Sequence, residues 1–261
     1  MSALFGLGGI FFALYYVFTA ESAGFKGYFD LPSFVLVFLS PPCVLLLSHT
    51  FGDFKTGIQT LIGSILGTQI RARSEVINTL TQTSGLVRSQ GLGALMNVKD
   101  RIGYELMRDG VALIVNNFTP EEIRHNIQAK INAKQSRMAL AGNLFENMAK
   151  IGPGAGMLGT LIGLISMMAN LKNPDQIGGG MALAMITTLY GVLLGTFIYG
   201  PCAERISLEA EKALEIDLMV LEGVLGLKGK KSSVHMRDIL RTYNRASTPA
   251  PTEGQQRRKG A

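Results

Sequence analysis

Three threonines, Thr160, Thr187 and Thr188, stand in stretches of the chain that hold no charge. Residues 151–171 and 176–203 lack Asp, Glu, Lys and Arg altogether. A hydroxyl there is the strongest side-chain polar group on offer. It carries one proton and two lone pairs, so it can help solvate a small cation but cannot exchange a proton near neutral pH. Counted from the short connection KNPDQIGGG, the three fall at broadly similar depths on adjacent segments. A lone threonine of this kind commonly bonds back to its own helix carbonyl. Three at one level point instead to a polar wall shared with another component.

Glycines surround these hydroxyls. Gly152, Gly156 and Thr160 are spaced by four, Gly159 and Gly163 repeat the spacing, and Gly191 and Gly195 repeat it on the next segment. Glycine costs about 1 kcal/mol relative to alanine inside a helix. Membrane helices offset that cost where small residues let backbones approach closely. Pro153 and Pro201 stand near the inner ends of the same two segments. Each reads as a helix start or kink, or as a hinge that flexes when an ion binds.

The elements that must position these residues follow from charge clustering. Residues 3–20 and 31–48 are also free of charge. Each of the four segments approaches the roughly 20 residues that cross a bilayer. The predicted fold is an all-α integral membrane protein with four spans and a helical cytoplasmic insert between the second and third. The first segment reads as a retained span, since no Lys or Arg precedes Lys26. Of 25 Lys and Arg residues, only Lys26 and Lys172 fall in the short connections. Positive charge marks the cytoplasmic side, so the insert and both termini are expected inside. The expected divisions are a hairpin over 1–51, the insert over 52–148, spans three and four over 149–204, a helical extension over 205–245 and a disordered basic tail over 246–261.

In the insert, Thr119 is expected to cap a helix that begins at Pro120, with Glu121 and Glu122 favouring its N-terminus. The fourth span continues in helical register to about Gly226, and SVHMRDILRTYNR reads as a last short helix. No phosphate-binding loop, dinucleotide fingerprint, nucleophile elbow or metal-ligand spacing is present, so an enzyme is not predicted and no cofactor is expected. Cys43 and Cys202 have no CxxC partner, and basic residues do not interleave with aromatics as a nucleic-acid surface would require. The four apolar segments also lack an ionisable group, the usual mark of an ion path. Taken alone, the chain supplies no mid-membrane carboxylate.

The run FENMAKIGPGAGMLGTLIGLISMMANLKNPDQIGGGMALAMITTLYGVLLGTFIYGPCAERISL resembles the third and fourth spans of the MotA/PomA flagellar stator subunits, within the MotA/TolQ/ExbB proton-channel superfamily. The likeness extends more weakly over most of the chain, including DLPSFVLV and VLGLKGKKSSVHMRDIL. It implies a homopentamer around a dimer of a MotB/PomB-like partner, which would supply the missing membrane aspartate and an anchor to the cell wall. The transported species would be Na+ or H+, and the insert would push the rotor protein FliG.

Carried over by motif, Thr160, Thr187 and Thr188 match the ion-handling threonines, which favours sodium. Pro153 and Pro201 match the coupling prolines, and Asp30 matches an acid at the outer start of the second span. The insert departs from the pattern. In LVRSQGLGALMNVKDRIGYE, Arg88 fits the basic rotor-contact position, but Met96, Asn97 and Lys99 stand where acids are usual, leaving Asp100 and Glu105 as substitutes. Two other readings compete: an ExbB/TolQ-like motor with a non-flagellar target, and a non-conducting scaffold. Two spans ahead of the insert argue against the first, and aligned hydroxyls against the second.

Overall fold

The computed structural model describes residues 28–66, 69–172 and 174–246, with isolated positions before residue 20. The first expected span and residues 247–261 therefore lie largely outside the described residues. Every regular element among the described residues is helical.

Helix α1 spans Leu31–Leu45 and starts where Asp30 accepts a hydrogen bond from the Ser33 amide at 2.9 Å, with proline in the first turn. Helix α2, Phe51–Leu66, opens on a reciprocal box in which Thr50 and Asp53 satisfy each other's backbone amides. Helix α3 covers Gln69–Gln90. Short turns over Leu92–Ala94, Leu95–Val98 and Lys99–Arg101 lead to α4, Glu105–Val115.

Helix α5 runs unbroken from Pro120 to Ala169 and passes through Pro153. Its start is the one expected from the sequence. Thr119 N donates to Glu122 Oε2 at 2.8 Å, and Glu122 N donates to Thr119 Oγ1 at 3.3 Å. These bonds hold the Glu122 carboxyl below its ordinary range, the backbone bond contributing most. Because the folded value is the lower one, this contribution is complete above the unfolded carboxylate range and disappears as pH falls through the folded value. Thr119→Ala is expected to destabilise the helix start by about 1 kcal/mol and to reduce this acid-side dependence only in part, since the backbone bond to Glu122 survives, checked by thermal unfolding at several pH values.

Helix α6, Pro174–Val192, continues through a π-helical segment, Leu193–Tyr199, into α7, Gly200–Lys228. A turn with Lys230 at φ 52° separates α7 from α8, Ser233–Ala246. The runs Pro120–Ala169 and Ile177–Lys228 are long and apolar enough to cross a membrane. Helix α1 is apolar but has 15 residues.

The chain divides into two compact units. One comprises residues up to Leu66 and Arg137–Leu208. Its buried core, including Leu45, Leu144, Phe145, Met148, Tyr199 and Ile206, is small, while Met157, Ile165 and Met185 are each about two-thirds exposed. So much exposed apolar surface needs lipid or other subunits to cover it.

The other unit, Gly67–Ser136 with Glu209 onward, has a conventional core of Leu80, Leu95, Met107, Ile123, Ile127, Val220, Val224, Met236 and Leu240. A polar group is set into that core. Asp217, 0% exposed, accepts from the Tyr104 hydroxyl at 2.6 Å and from Lys134 Nζ at 2.8 Å. Burial first, and then the bond to Asp217, push the Tyr104 phenol far above its ordinary range.

Candidate functional site

The glycines form a seam along which α5 and α6 pack antiparallel. A methyl group placed on Gly163 would lie 2.5 Å from the Gly180 carbonyl oxygen and 2.8 Å from the Ala184 nitrogen. On Gly159 it would meet the Thr187 side chain at 2.5 Å, and on Gly156 the Thr187 carbonyl at 2.9 Å. Gly152 faces Gly191 and Gly195, and Gly191 returns the contact at 2.7 Å from the Gly152 oxygen. Gly152, Gly156, Gly159, Gly163, Gly191 and Gly195 all stand where an added methyl would meet the facing helix. Gly180 belongs to the same seam, since a methyl on it would lie 2.8 Å from the Gly163 oxygen, although in the sequence it falls within the short connection KNPDQIGGG. Gly154 has nothing within 4 Å.

The seam brings the three hydroxyls together around one carbonyl. Thr160, Thr187 and Thr188 each place Oγ1 3.1 Å from the Ala184 oxygen. Thr160 Oγ1 also lies 2.5 Å from Thr188 Oγ1 and 3.1 Å from the Gly156 oxygen. Thr187 Oγ1 donates to the Leu183 oxygen at 2.8 Å. Back-bonding within each helix therefore does occur, but Thr160 additionally crosses to α6. The three differ in access. Thr187 is 0% exposed beneath Gly159, whereas Thr188 is open on the surface of this unit and Thr160 is half-buried. Three hydroxyl protons are shared among the cluster, and oxygen lone pairs of Thr160 and Thr188 remain available to a cation.

One helical turn beyond Gly191, both helices lose backbone regularity at the same place. Pro153 cannot donate to the Ala149 carbonyl. That oxygen lies 2.7 Å from where a Gly195 methyl would stand, and the Pro153 ring lies 2.5 Å from it. Gly195 sits inside the π segment, where the Gly200 amide bonds back to the Gly195 oxygen. Pro201 follows directly, inside the continuous helical run Ile177–Lys228, where its missing N–H removes a donor to the preceding π turn.

Asp30 caps α1, as its position before Leu31 implies. Phe34 meets Tyr190 edge-on at 6.3 Å between ring centroids, and the Tyr190 hydroxyl donates to the Tyr28 carbonyl at 2.5 Å. The beginning of α1 is thus level with Tyr190, near the end of α6 and two residues from Thr188, rather than with the start of α6 at Pro174.

Comparison with known proteins decides the family. The family model described as the MotA/TolQ/ExbB proton channel family matches residues 98–216, a range that holds the seam and the hydroxyls. Motility protein A of Treponema phagedenis is 30% identical over 211 residues, covering 78% of each chain. The chain belongs to the motility protein A family. Chemotaxis protein PomA of Vibrio alginolyticus is 26% identical, over 93% of this chain and 94% of its own. A solved structure described as that of C. jejuni MotAB shares the fold, with a TM-score of 0.84 at 18% identity, covering 96% of this chain and 97% of that one.

The MotA-family reading of the insert is less tightly met. Arg88 is exposed in the last turn of α3 and Lys99 lies in the short turns. Glu105 stands in the first turn of α4, where a carboxylate suits the helix dipole. None of the three forms an ion pair among the described residues, and the Asp100 side chain lies outside them. Met96, at the centre of this segment, is 68% exposed.

Proposed function

We propose that the chain is an ion-conducting stator subunit of a bacterial inner-membrane motor, in which it surrounds a MotB/PomB-like dimer as a pentamer and converts cation flow into torque on a FliG-type rotor. The observation that carries this reading is the hydroxyl cluster. Three threonines converge on the Ala184 carbonyl between two apolar stretches, 151–171 and 176–203, that hold no Asp, Glu, Lys or Arg, so a charged titratable group must come from a partner. Family membership supports the same reading, as does the exposed apolar surface around Met157, Ile165 and Met185. The solved structure similar in fold is described as MotAB, an assembly with the expected partner.

Sodium is the favoured ion, because hydroxyl and carbonyl oxygens suit a hard cation and a proton path needs no such cluster. Thr160 and Thr188 would pass the ion to the partner's aspartate, while Thr187 holds the seam. The insert would contact the rotor through Arg88, Lys99, Asp100 and Glu105, and Pro153 and Pro201 would let the wall flex as the aspartate is loaded and unloaded.

The test expresses the chain with its partner in cells lacking their own stator and follows rotation against external sodium at fixed pH. Speed is expected to rise with sodium; equal speed without it sinks the sodium assignment. In the same cells, Thr160→Val and Thr188→Val are expected to remove most of the rotation, whereas Thr187→Val keeps the methyl opposite Gly159 and retains it. A Thr187→Val loss equal to that of Thr188→Val would refute the division of roles. If no adjacent reading frame encodes a single span with an aspartate and a wall-binding domain, the motor reading itself fails.

A further inference from the structure

The charge of the chain is concentrated at its end. Residues 228–261 contain nine Lys and Arg against Asp238 and Glu253, whereas the preceding 227 residues contain sixteen cations against seventeen acids. Part of this excess is held in a defined place. An open cleft of 320 Å³ between α3 and α8 is lined by Ile77, Asn78, Thr81, Gln82, Arg237 and Arg241. Arg237 and Arg241 are exposed and form no hydrogen bond or ion pair among the described residues. No carboxylate lines the cleft, and the Thr81 hydroxyl is already committed to the Ile77 carbonyl at 2.8 Å.

The helix that carries the arginines is fixed rather than loose. Met236 and Leu240 are buried in the core, and the Ser84 hydroxyl meets the Ser233 hydroxyl at 3.2 Å. Arg237 and Arg241 are one turn apart and so share a helix face, about 5–6 Å apart at Cβ. Opposite them, Asn78 and Gln82 repeat the same spacing and offer amide donors and acceptors. Two preorganised guanidinium forks suit phosphate oxygens better than any other common anion. The volume is that of a small-molecule site, and Ile77 adds one apolar wall.

We propose that this cleft binds a small phosphate-bearing molecule, with Arg237 and Arg241 on the phosphate and Asn78 and Gln82 on the body of the ligand. The site shares no residue with the hydroxyl cluster and does not depend on the motor reading.

The experiment uses the full-length protein purified in detergent, titrated by calorimetry with pyrophosphate and, separately, with AMP. Saturable binding is expected. Arg237→Gln and Arg241→Gln should each weaken it about tenfold or more, the share of one charge-assisted pair, while Arg108→Gln, which removes an exposed cation outside the cleft, leaves it unchanged. Tighter binding of AMP than of pyrophosphate assigns the site to an organic phosphate ester, and the reverse order to free polyphosphate. The proposal is overturned if neither probe saturates, if both arginine variants bind as the parent does, or if only vesicles containing phosphatidylglycerol are retained. Unchanged helicity by circular dichroism separates loss of the site from loss of the fold.

Discussion

Gly163→Ala is expected to destabilise the α5–α6 pair and to abolish ion-driven rotation, although it adds a single methyl group. The methyl would sit 2.5 Å from the Gly180 carbonyl oxygen and 2.8 Å from the Ala184 nitrogen. Both are backbone atoms, so no side chain can swing aside and the helices must separate. Overpacking of this kind costs about 1–3 kcal/mol and occasionally more, and contact with backbone places it at the upper end. Separation also draws Thr160 away from the Ala184 oxygen, 3.1 Å off in the packed state. Gly154→Ala is the matched control, since nothing lies within 4 Å of it; it should be neutral or slightly stabilising through helix propensity. Thermal unfolding of the purified protein and rotation in cells together check the pair. Equal behaviour of the two variants would show that the seam is not tightly packed.

The second large effect is expected at Lys134. Asp217 is 0% exposed and its charge is balanced by Lys134 Nζ at 2.8 Å. Lys134→Ala leaves that buried carboxylate with only the Tyr104 hydroxyl; because Lys134 is itself 35% exposed, the cost is expected at the lower end of the about 3–5 kcal/mol of a fully buried pair. Tyr104→Phe removes one hydrogen bond and should cost about 1–2 kcal/mol. Lys130→Ala breaks a pair with Asp109 whose members are partly exposed, and about 1 kcal/mol or less is expected. The informative variant is the double substitution Lys134→Met with Asp217→Leu, which takes both charges out of the interior and should recover most of the loss. A double variant as unstable as Lys134→Ala would assign the loss to packing rather than charge. The phenol adds an alkaline signature. Its folded pKa is raised, so Tyr104 contributes fully below the ordinary tyrosine range near pH 10 and the contribution is lost as pH climbs beyond it.

Much of the candidate site was legible because glycine and threonine have few reasons to repeat at four-residue spacing in an apolar segment. Spacing gave Gly152, Gly156 and Thr160 on α5, and Gly191 and Gly195 on α6, without any knowledge of depth. The start of α5 was legible for a local reason, since Thr119, Pro120 and Glu122 act within one turn. What escaped notice depended on atoms that side-chain patterns do not reveal. The Ala184 carbonyl is the common acceptor of the cluster, and every residue has a carbonyl. Gly180 ends the connection KNPDQIGGG, and nothing in its spacing marks it as a partner of Gly163. The level of α1 against α6 hangs on the Tyr190 hydroxyl reaching the Tyr28 carbonyl, a contact between residues 162 apart. Asp217 did leave a trace, lying four residues after Ala213 and three before Val220, both of which are buried.

The π segment settles a matter of helical phase. Thr187, Gly191, Gly195, Tyr199 and Ala203 are all buried, although they follow one another at steps of four. In a straight α-helix a step of four overshoots a full turn by about 40°, so five such residues would spiral well away from a neighbouring helix. The wider turns of Leu193–Tyr199 wind part of that drift back and keep one strip of small residues facing inward. A bulge of this type amounts to an extra residue in the helix. Deleting one residue within it would return the segment to an ordinary α-helix and leave Ala203 and Ile206 near their present phase. Deleting one residue between Tyr199 and Ala203 would instead turn both about 100° relative to Gly191 and expose that end of the strip, with no change in the chemistry of any residue that remains.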